Sequence, residues 1–345
     1  MMSDAIKPLL TKVCSGGALS REEAESAFTH IMSGDMTSAQ IAAFLIALKV
    51  RGETIDEIAG AVSVMRAKMT PVELPEPLAS SAMDIVGTGG DGKGSFNVST
   101  TTALTVAACG VPVAKHGNRA VSSQSGAADV LKALGVNIDI GPDQIAACIE
   151  QAGIGFMFAP MHHTAMKHVG PTRAELGQRT IFNLIGPLSN PARVTRQLVG
   201  VYDERWLVPV AETLNALGCE AAWVVYGIDG MDEITTTGIT HLAKLEEGGV
   251  SLAAIDPRDH GIDLVDEREL VGGDAEHNAK ALREVLAGDQ GAYTDIVLIN
   301  AGAALCVAGA VTTLDKGIAK ARDALASGKA MATLDKLIAV SNAKG

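Results

Sequence analysis

The first 70 residues repeat one pattern of polar and apolar positions three times. Each time, a hydroxyl residue is followed three positions later by Glu or Gln, and then by apolar residues at helical spacing. A hydroxyl at the N-cap and an acid or amide at this position satisfy two free backbone donors, so each pair predicts a helix start. Glycines 34 and 52 close two of these helices, and a small helical unit ends near Thr70. The three pairs are Ser20 with Glu23, Thr37 with Gln40, and Thr54 with Glu57.

A proline-rich linker at 71–77 leads into a second pattern, in which short β-rich runs alternate with helical ones. Such alternation predicts βαβ units, and therefore an α/β fold with a mainly parallel sheet and flanking helices. The predicted strands are 83–86, 111–115, 155–159, 198–201, 222–225 and 296–299, and the predicted helices are 99–109, 126–134, 142–151, 204–217, 275–287, 301–311, 313–326 and 329–340.

One segment breaks the alternation, because 171–191 contains two predicted helices and no strand. We expect it to pack on the N-terminal helices and to make that unit discontinuous. The predicted division is a small helical domain of 1–72 with about 172–194, and an α/β domain of 73–171 with 195–345.

Charge and cysteine usage narrow the classes of partner. The net charge is −12 without a basic block, which argues against nucleic acid or an anionic membrane as a partner. An anionic small ligand would need local compensation by backbone amides, a few cations or a metal. Five cysteines show no metal or redox spacing, and no signal peptide or membrane span is visible. The sequence therefore predicts a cytoplasmic protein.

The most informative stretch is a glycine-rich loop between the first predicted strand and the helix that follows it. Five glycines lie within the eight residues 87–94. Glycine lets backbone amides turn inward, and the start of the next helix adds free N–H groups, so the loop suits a phosphate or diphosphate. Ser95, Ser99 and Thr100 add hydroxyl donors. A merely flexible surface loop is the alternative.

A second polar loop, 115–123, follows the next predicted strand, so it should lie at the same edge of the sheet. Two cations, an amide and two hydroxyls make it an anion site, with Lys115 contacting phosphate and Asn118 donating to a ligand. His116 is either a general acid or a histidine fixed in place by hydrogen bonds.

Adjacent carboxylates follow the strand predicted at 222–225. Asp232 and Glu233 fit a Mg²⁺ site, because this cation prefers oxygen ligands and often bridges to a substrate phosphate. A solvated acidic turn is the alternative.

Together these stretches resemble the anthranilate phosphoribosyltransferase family. The resemblance covers nearly the whole chain and rests on five motifs in the same order. They are Gly-Thr-Gly-Gly-Asp at 87–91 with Asn-Val-Ser-Thr at 97–100, Lys-His-Gly-Asn-Arg at 115–119, Gly-Gln-Arg-Thr-Ile-Phe-Asn at 177–183, Gly-Pro-Leu-Ser-Asn-Pro at 186–191, and Asp-Gly-Met-Asp-Glu at 229–233.

The resemblance implies a homodimer of the nucleoside phosphorylase and phosphoribosyltransferase fold, formed through the helical domain. It implies transfer of phosphoribose from 5-phosphoribosyl 1-diphosphate to anthranilate, with two Mg²⁺ ions per subunit. By motif, Lys115 and His116 are the catalytic candidates, Ser99, Asp232 and Glu233 serve the metal, and Gly87, Asn118 and Arg173 meet anthranilate. The implied donor-binding residues are Gly87, Gly90, Asp91, Ser95, Asn97, Val98, Ser99, Thr100, Lys115, His116, Gly117, Asn118, Arg119, Ala120, Val121, Ser122, Ser123 and Ala127.

Two positions depart from the family pattern. Ala127 stands where a serine often contacts the donor, and Tyr226 stands where a histidine is common. The first puts one donor contact in doubt. A pyrimidine nucleoside phosphorylase-like enzyme, which would use free phosphate without the carboxylate pair, and a non-catalytic nucleotide-binding module are the alternatives.

Overall fold

The computed structural model describes residues 6–119 and 124–343. Its strands are β1 Met83–Gly87, β2 Val113–Gly117, β3 Ile154–Phe158, β4 Arg196–Gly200, β5 Ala221–Gly227, β6 Thr240–Glu246 and β7 Gly249–Ile255. Its α-helices are α1 Ile6–Cys14, α2 Arg21–Ser33, α3 Ser38–Arg51, α4 Ile55–Lys68, α5 Leu78–Ser81, α6 Val98–Ala108, α7 Ala127–Ala133, α8 Pro142–Ala152, α9 Ala159–His162, α10 Gly170–Leu176, α11 Ile181–Ile185, α12 Leu207–Ala216, α13 Ala275–Leu286, α14 Ala292–Val307, α15 Leu314–Ala326 and α16 Lys329–Ser341. Short 3₁₀ helices span Thr164–His168, Glu204–Trp206, Pro257–His260 and Glu267–Leu270.

The seven strands form a sheet in the order β3-β2-β1-β4-β5-β6-β7. The first five strands in this order are parallel, and β6 and β7 add an antiparallel hairpin at one edge. This confirms the α/β class with a mainly parallel sheet. The chain runs from β1 to one side, through β2 and β3, and returns to the other side through β4. Such a reversal opens a crevice at the carboxyl ends of the central strands, where ligands bind in folds of this type.

Two strand assignments from the sequence need correction. The strand predicted at 296–299 is wrong, since these residues lie inside α14, a helix buried almost all round. Its short apolar run has no periodicity that separates a strand from a buried helix. The hairpin of β6 and β7 was not predicted, although Glu247 and Gly248 between them have positive φ, as a two-residue hairpin turn requires.

The three predicted helix starts are confirmed. In each, the N-cap hydroxyl accepts from the third backbone N–H, and the Glu or Gln side chain returns to the N-cap N–H. The helices bury one shared core, in which the Phe28 ring lies edge-on to Phe44 and Phe182 with centroids 5.8 Å apart in both pairs. Phe182 belongs to α11, so the strandless segment packs on the N-terminal helices as expected.

This helical core continues onto one face of the sheet, where it meets α12 and residues of β4, β5 and β6. The opposite face is covered by the larger core that contains α6, α13, α14, α15 and α16. The two crossings between the helical part and the sheet run side by side, because the N–H of Val72 donates to the carbonyl of Pro191. The two-domain division and its boundaries remain a prediction.

Within the described part of the chain, no helix combines the length and the apolarity that a bilayer crossing requires.

Candidate active site

The glycine loop leaves the sheet at Gly87, the last residue of β1. A Cβ added to Gly87 would overlap the Asp232 carboxylate, so only glycine allows this close approach. The N–H of Gly89 donates to Asp232 Oδ2 at 2.7 Å, which ties the loop to the acidic turn after β5. Gly90 has a φ of +73°, a conformation that side chains with a Cβ rarely adopt. The loop and the acidic turn therefore form one unit.

The far end of the loop is held by the segment that follows the hairpin. Ser95 forms an isolated antiparallel bridge with Val271, and the Phe96 ring stacks on Tyr293 with centroids 4.4 Å apart. The side chain of Asn97 accepts from Asn278 at 3.0 Å. The strand bridge, the ring stack and the Asn97–Asn278 hydrogen bond thus hold the start of α6 in place. Ser99 and the buried side chains of Val98 and Thr100 lie in its first turn.

Lys115 and His116 lie within β2 rather than in the loop predicted to start at residue 115, so the polar loop begins after Gly117. Lys115 is only 2% exposed, and its ammonium donates to the carbonyl of Ile85 at 2.7 Å and to Ser99 Oγ at 3.3 Å. Burial lowers the pKa of Lys115, against the opposing charges of nearby carboxylates. A buried strand position thereby fixes a cation between the glycine loop and the acidic turn.

His116 faces a second histidine, with its Nε2 atom 3.2 Å from Nε2 of His163. Burial and the neighbouring His163 hold the pKa of His116 well below its usual value, and burial lowers the pKa of His163 to about 4. Both rings are therefore neutral at pH 7. A neutral imidazole is a poor general acid, so this environment favours the alternative of a histidine fixed in place by contacts.

The acidic pair lies at the same edge. Burial raises the pKa of Asp232 to about 7, with Asp91 adding to the rise. Burial also raises the pKa of Glu233 well above its usual value, and the charge of Asp232 adds to it, whereas Lys115 opposes it. Asp91 and Asp232 therefore act on this pair as like charges, and Lys115 is the cation that opposes them at Glu233.

These residues fit a divalent cation. Oxygen donors from Asp232, Glu233 and Ser99 suit Mg²⁺, and a bound cation would relieve the repulsion between the carboxylates. Among residues 6–119 and 124–343, no group of three or more His, Cys, Asp or Glu side chains is arranged as a metal-binding cluster. Mg²⁺ commonly completes its coordination with water and substrate oxygens.

Several predicted ligand residues lie in the polar loop or further from the acidic pair. Asn118 and Arg119 are exposed, and the Arg119 guanidinium lies 5.5 Å from the centroid of Phe158. Ala120, Val121, Ser122 and Ser123 fall outside the described residues. A Cβ on Gly117 would lie 3.4 Å from the Cβ of Ala127, which places Ala127 beside the end of β2.

Arg173 lies in α10, with its guanidinium 5.3 Å from the centroid of the Phe182 ring. It is half-buried, and burial lowers its pKa. Among the described residues it forms no ion pair. The Phe182 ring that it contacts belongs to the helical core. Within residues 6–119 and 124–343, Arg173 forms no hydrogen bond to Gly87 or Asn118.

The sequence reasoning missed a buried network behind β2. The carboxylate of Asp84 accepts from the N–H of His116 at 3.1 Å and from Asn190 Nδ2 at 2.7 Å. Asn190 also donates to the carbonyl of Ala114 at 2.9 Å. Asp84 inside an apolar strand could have indicated this network, because a fully buried carboxylate requires hydrogen-bond partners. Through this network, a residue of the helical segment fixes the backbone that carries Lys115.

The site therefore combines a glycine loop, a buried lysine and an acidic pair at the crevice beside β1. The helical bundle domain of the glycosyl transferase family matches residues 7–69, and the a/b domain of that family matches residues 79–331. The chain is 59% identical over 337 residues to the anthranilate phosphoribosyltransferase of Agrobacterium fabrum, covering 98% of this chain and 97% of that protein.

This chain belongs to the anthranilate phosphoribosyltransferase family. The Chelativorans sp. anthranilate phosphoribosyltransferase is 60% identical over 339 residues, covering 98% of this chain and 99% of that protein. The Thermus thermophilus anthranilate phosphoribosyltransferase structure aligns with a TM-score of 0.91 at 41% identity, covering 97% of this chain and 99% of that one.

The Saccharomyces cerevisiae anthranilate phosphoribosyltransferase in complex with PRPP and Mg aligns with a TM-score of 0.88 at 28% identity, covering 99% of both chains. Membership of the anthranilate phosphoribosyltransferase family confirms the resemblance, the fold and the enzyme class predicted from the sequence. Family membership also excludes the two alternatives, a pyrimidine nucleoside phosphorylase-like enzyme and a non-catalytic nucleotide-binding module.

Proposed function

We propose that the residues gathered beside β1 transfer the phosphoribosyl group from 5-phosphoribosyl 1-diphosphate to anthranilate. The products are N-(5-phosphoribosyl)anthranilate and diphosphate, and the reaction is a step of tryptophan biosynthesis. The observation that carries this assignment is the convergence of the glycine loop, Lys115 and the carboxylates of Asp232 and Glu233 at one edge of the sheet.

The donor binds along the glycine loop and the start of α6. The glycines of the loop leave room for the diphosphate to approach backbone amides, and Ser95, Ser99 and Thr100 supply hydroxyls. Asn97, Asn118 and Arg119 complete the set of polar side chains on this path. Because Ala127 has no hydroxyl, the donor has one fewer side-chain hydrogen bond here than a serine would give.

Catalysis is electrostatic. As diphosphate leaves C1 of the ribose, negative charge grows on the leaving group and positive charge grows on the sugar. The loop amides and the Lys115 ammonium, already fixed by two hydrogen bonds, stabilise the leaving group with little reorganisation. The aromatic amine of anthranilate is weakly basic and neutral at pH 7, so attack requires positioning more than a strong base.

Ser99, Asp232 and Glu233 would hold Mg²⁺ in this site. A bound Mg²⁺ supplies Lewis-acid stabilisation of the diphosphate oxygens and neutralises the carboxylates. The Mg²⁺ complex of the yeast relative supports this assignment. We propose two Mg²⁺ ions per subunit, as the family resemblance implies.

Anthranilate binds opposite the donor. We place Gly87 and Asn118 beside it, with Arg173 pairing with its carboxylate, because a guanidinium fork matches a carboxylate in shape and charge. A yeast family member in complex with 4-fluoroanthranilate supports an aromatic acid in this fold. His116, neutral and buried, acts by positioning the loop.

One assay tests the function directly. The chain is incubated with 5-phosphoribosyl 1-diphosphate, Mg²⁺ and anthranilate, and the loss of anthranilate fluorescence is followed. We expect turnover that stops in excess chelator and does not occur when inorganic phosphate replaces the diphosphate donor. Absence of turnover under all conditions would refute the assignment.

We also propose a cytoplasmic homodimer that forms through the helical domain. The exposed Val50, at 81% exposure on α3, offers apolar surface on that domain. Light scattering should give twice the mass of the chain, and Val50→Glu should shift it toward the single-chain mass. A monomeric wild type would contradict the dimer without affecting the catalytic assignment.

A further inference from the structure

A cavity of about 390 Å³ lies behind the glycine loop, between the end of α3, the turn before α11 and the end of β4. None of the residues assigned above to the donor, the acceptor or the metal lines it. The charged and polar side chains that line the cavity include Lys49, Glu53, Gln178, Arg179, Tyr202 and Arg205. The cavity reaches the glycine loop only through Arg179, whose Nε would lie 3.2 Å from a Cβ on Gly90.

The charge of this cavity is opposite to that of the chain. The chain carries a net charge of −12, yet three cations and one carboxylate line the cavity. Lys49 donates to the neutral Gln178 at 2.8 Å, and the Arg179 guanidinium lies 4.4 Å from the centroid of the Tyr202 ring. Among the described residues, neither cation has a carboxylate within ion-pair distance.

The other charged residues at the cavity, Arg205 and Glu53, do not cancel its positive charge. Arg205 pairs with Asp203 through Nε and Oδ2 at 3.3 Å, which neutralises one of the three cations. Glu53 is half-buried, and burial raises its pKa, whereas the charges of Arg205 and Arg51 lower it. Even with Glu53 ionised, Lys49 and Arg179 leave the lining of the cavity with a net positive charge.

We propose that this cavity binds a small phosphate-bearing anion at a site separate from the donor site. Its volume lies in the range of small-molecule pockets. The Lys49 ammonium and the Arg179 guanidinium bring charged donors to one volume, and Arg205 pairs with Asp203 through Nε, so its other N–H groups add further donors. Several donors around one volume suit the multiple oxygens and double charge of a phosphate better than a monocarboxylate.

Calorimetry with inorganic phosphate tests the site, in the presence of saturating 5-phosphoribosyl 1-diphosphate and Mg²⁺ and without anthranilate. Under these conditions the donor site is filled and no turnover occurs. We expect one phosphate per chain in the wild type. The double variant Lys49→Gln, Arg205→Gln should bind phosphate ten- to a hundredfold more weakly, since it lacks two charged donors. Arg179 is left unchanged because it touches the glycine loop.

The matched control is Arg258→Gln, because Arg258 lies on the surface and pairs with Asp256 at 2.6 Å. This variant should bind phosphate as the wild type does. Equal phosphate binding by the double variant and the wild type, or no phosphate binding by the wild type, overturns the proposal. Benzoate that binds as tightly as phosphate, and is weakened equally by the double variant, would overturn the assignment to a phosphate.

The inference uses the proposed function only to fill the donor site. If the donor gives no isotherm, the proposed function fails, and the same phosphate titration without donor still compares wild type with double variant. A donor isotherm without a phosphate isotherm refutes the cavity site alone. Equal thermal unfolding midpoints of all variants show that lost binding is not lost folding.

Discussion

Asn190→Ala should destabilise the protein more than any exposed asparagine substitution, because three hydrogen bonds converge on this fully buried amide. Its Nδ2 donates to Asp84 Oδ2 at 2.7 Å and to the carbonyl of Ala114 at 2.9 Å, and its Oδ1 accepts from the N–H of Ala192 at 2.8 Å. A bond to a charged group contributes about 1.5–3 kcal/mol and each neutral bond about 0.5–1.5 kcal/mol. We expect a loss of about 3–5 kcal/mol in the free energy of unfolding at pH 8.

The loss of unfolding free energy in Asn190→Ala should depend on pH, and the ionisation of Asp84 determines whether it grows or shrinks as the pH rises. Burial raises the pKa of Asp84 to about 6, whereas the Asn190 hydrogen bond lowers it. The folded state therefore binds more protons than the unfolded state between about pH 4 and pH 6, and stability from this group falls as pH rises through this window. Without Asn190 the folded pKa rises further, so the loss of stability extends to higher pH. The variant should be closer to the wild type at pH 5 than at pH 8.

Urea unfolding at pH 5 and pH 8 measures both effects. The matched control is Asn215→Ala, which removes one exposed bond to the carbonyl of Gly248 and should cost at most about 1 kcal/mol at either pH. A loss below about 1 kcal/mol for Asn190→Ala, or an equal loss at both pH values, would refute the reasoning. The variant should also lose activity, since Asp84 holds the backbone of His116 beside Lys115.

Three further variants test the site. Asp232→Asn with Glu233→Gln should fold normally but lose most activity, because it removes the paired carboxylates proposed for Mg²⁺; full activity of this variant would contradict the metal assignment. Gly90→Val should weaken donor binding far more than anthranilate binding, since its φ of +73° suits no β-branched residue, and calorimetry showing unchanged donor affinity would exclude the loop as a cradle. Arg173→Ala should lose about 1.5–3 kcal/mol of interaction with anthranilate and little with the donor, which steady-state kcat/KM measures; wild-type kcat/KM for anthranilate would remove Arg173 from the acceptor site.

The sequence by itself determined the local elements whose signals lie within a few residues. The capping pairs at Ser20, Thr37 and Thr54 each close within one turn, so they needed no distant partner. The glycine loop after β1 and the acidic turn after β5 were also readable, because their position at strand ends follows from the alternation of strands and helices. Local chemistry therefore predicted the fold class, the glycine loop and the acidic pair, whereas the roles of the other site residues came from the family resemblance and remain predictions.

Tertiary packing alone decided three features. The run at 296–299 became helix because it is buried on all sides within α14, where helix and strand bury the same residues equally well. Asp84 and Asn190 are 106 residues apart, and their pairing depends on the helical segment returning beside β2. Arg179 lies beside Gly90 for the same reason. Contacts at such separation leave no periodicity in the sequence, because they arise only when whole elements pack and buried charges must find partners.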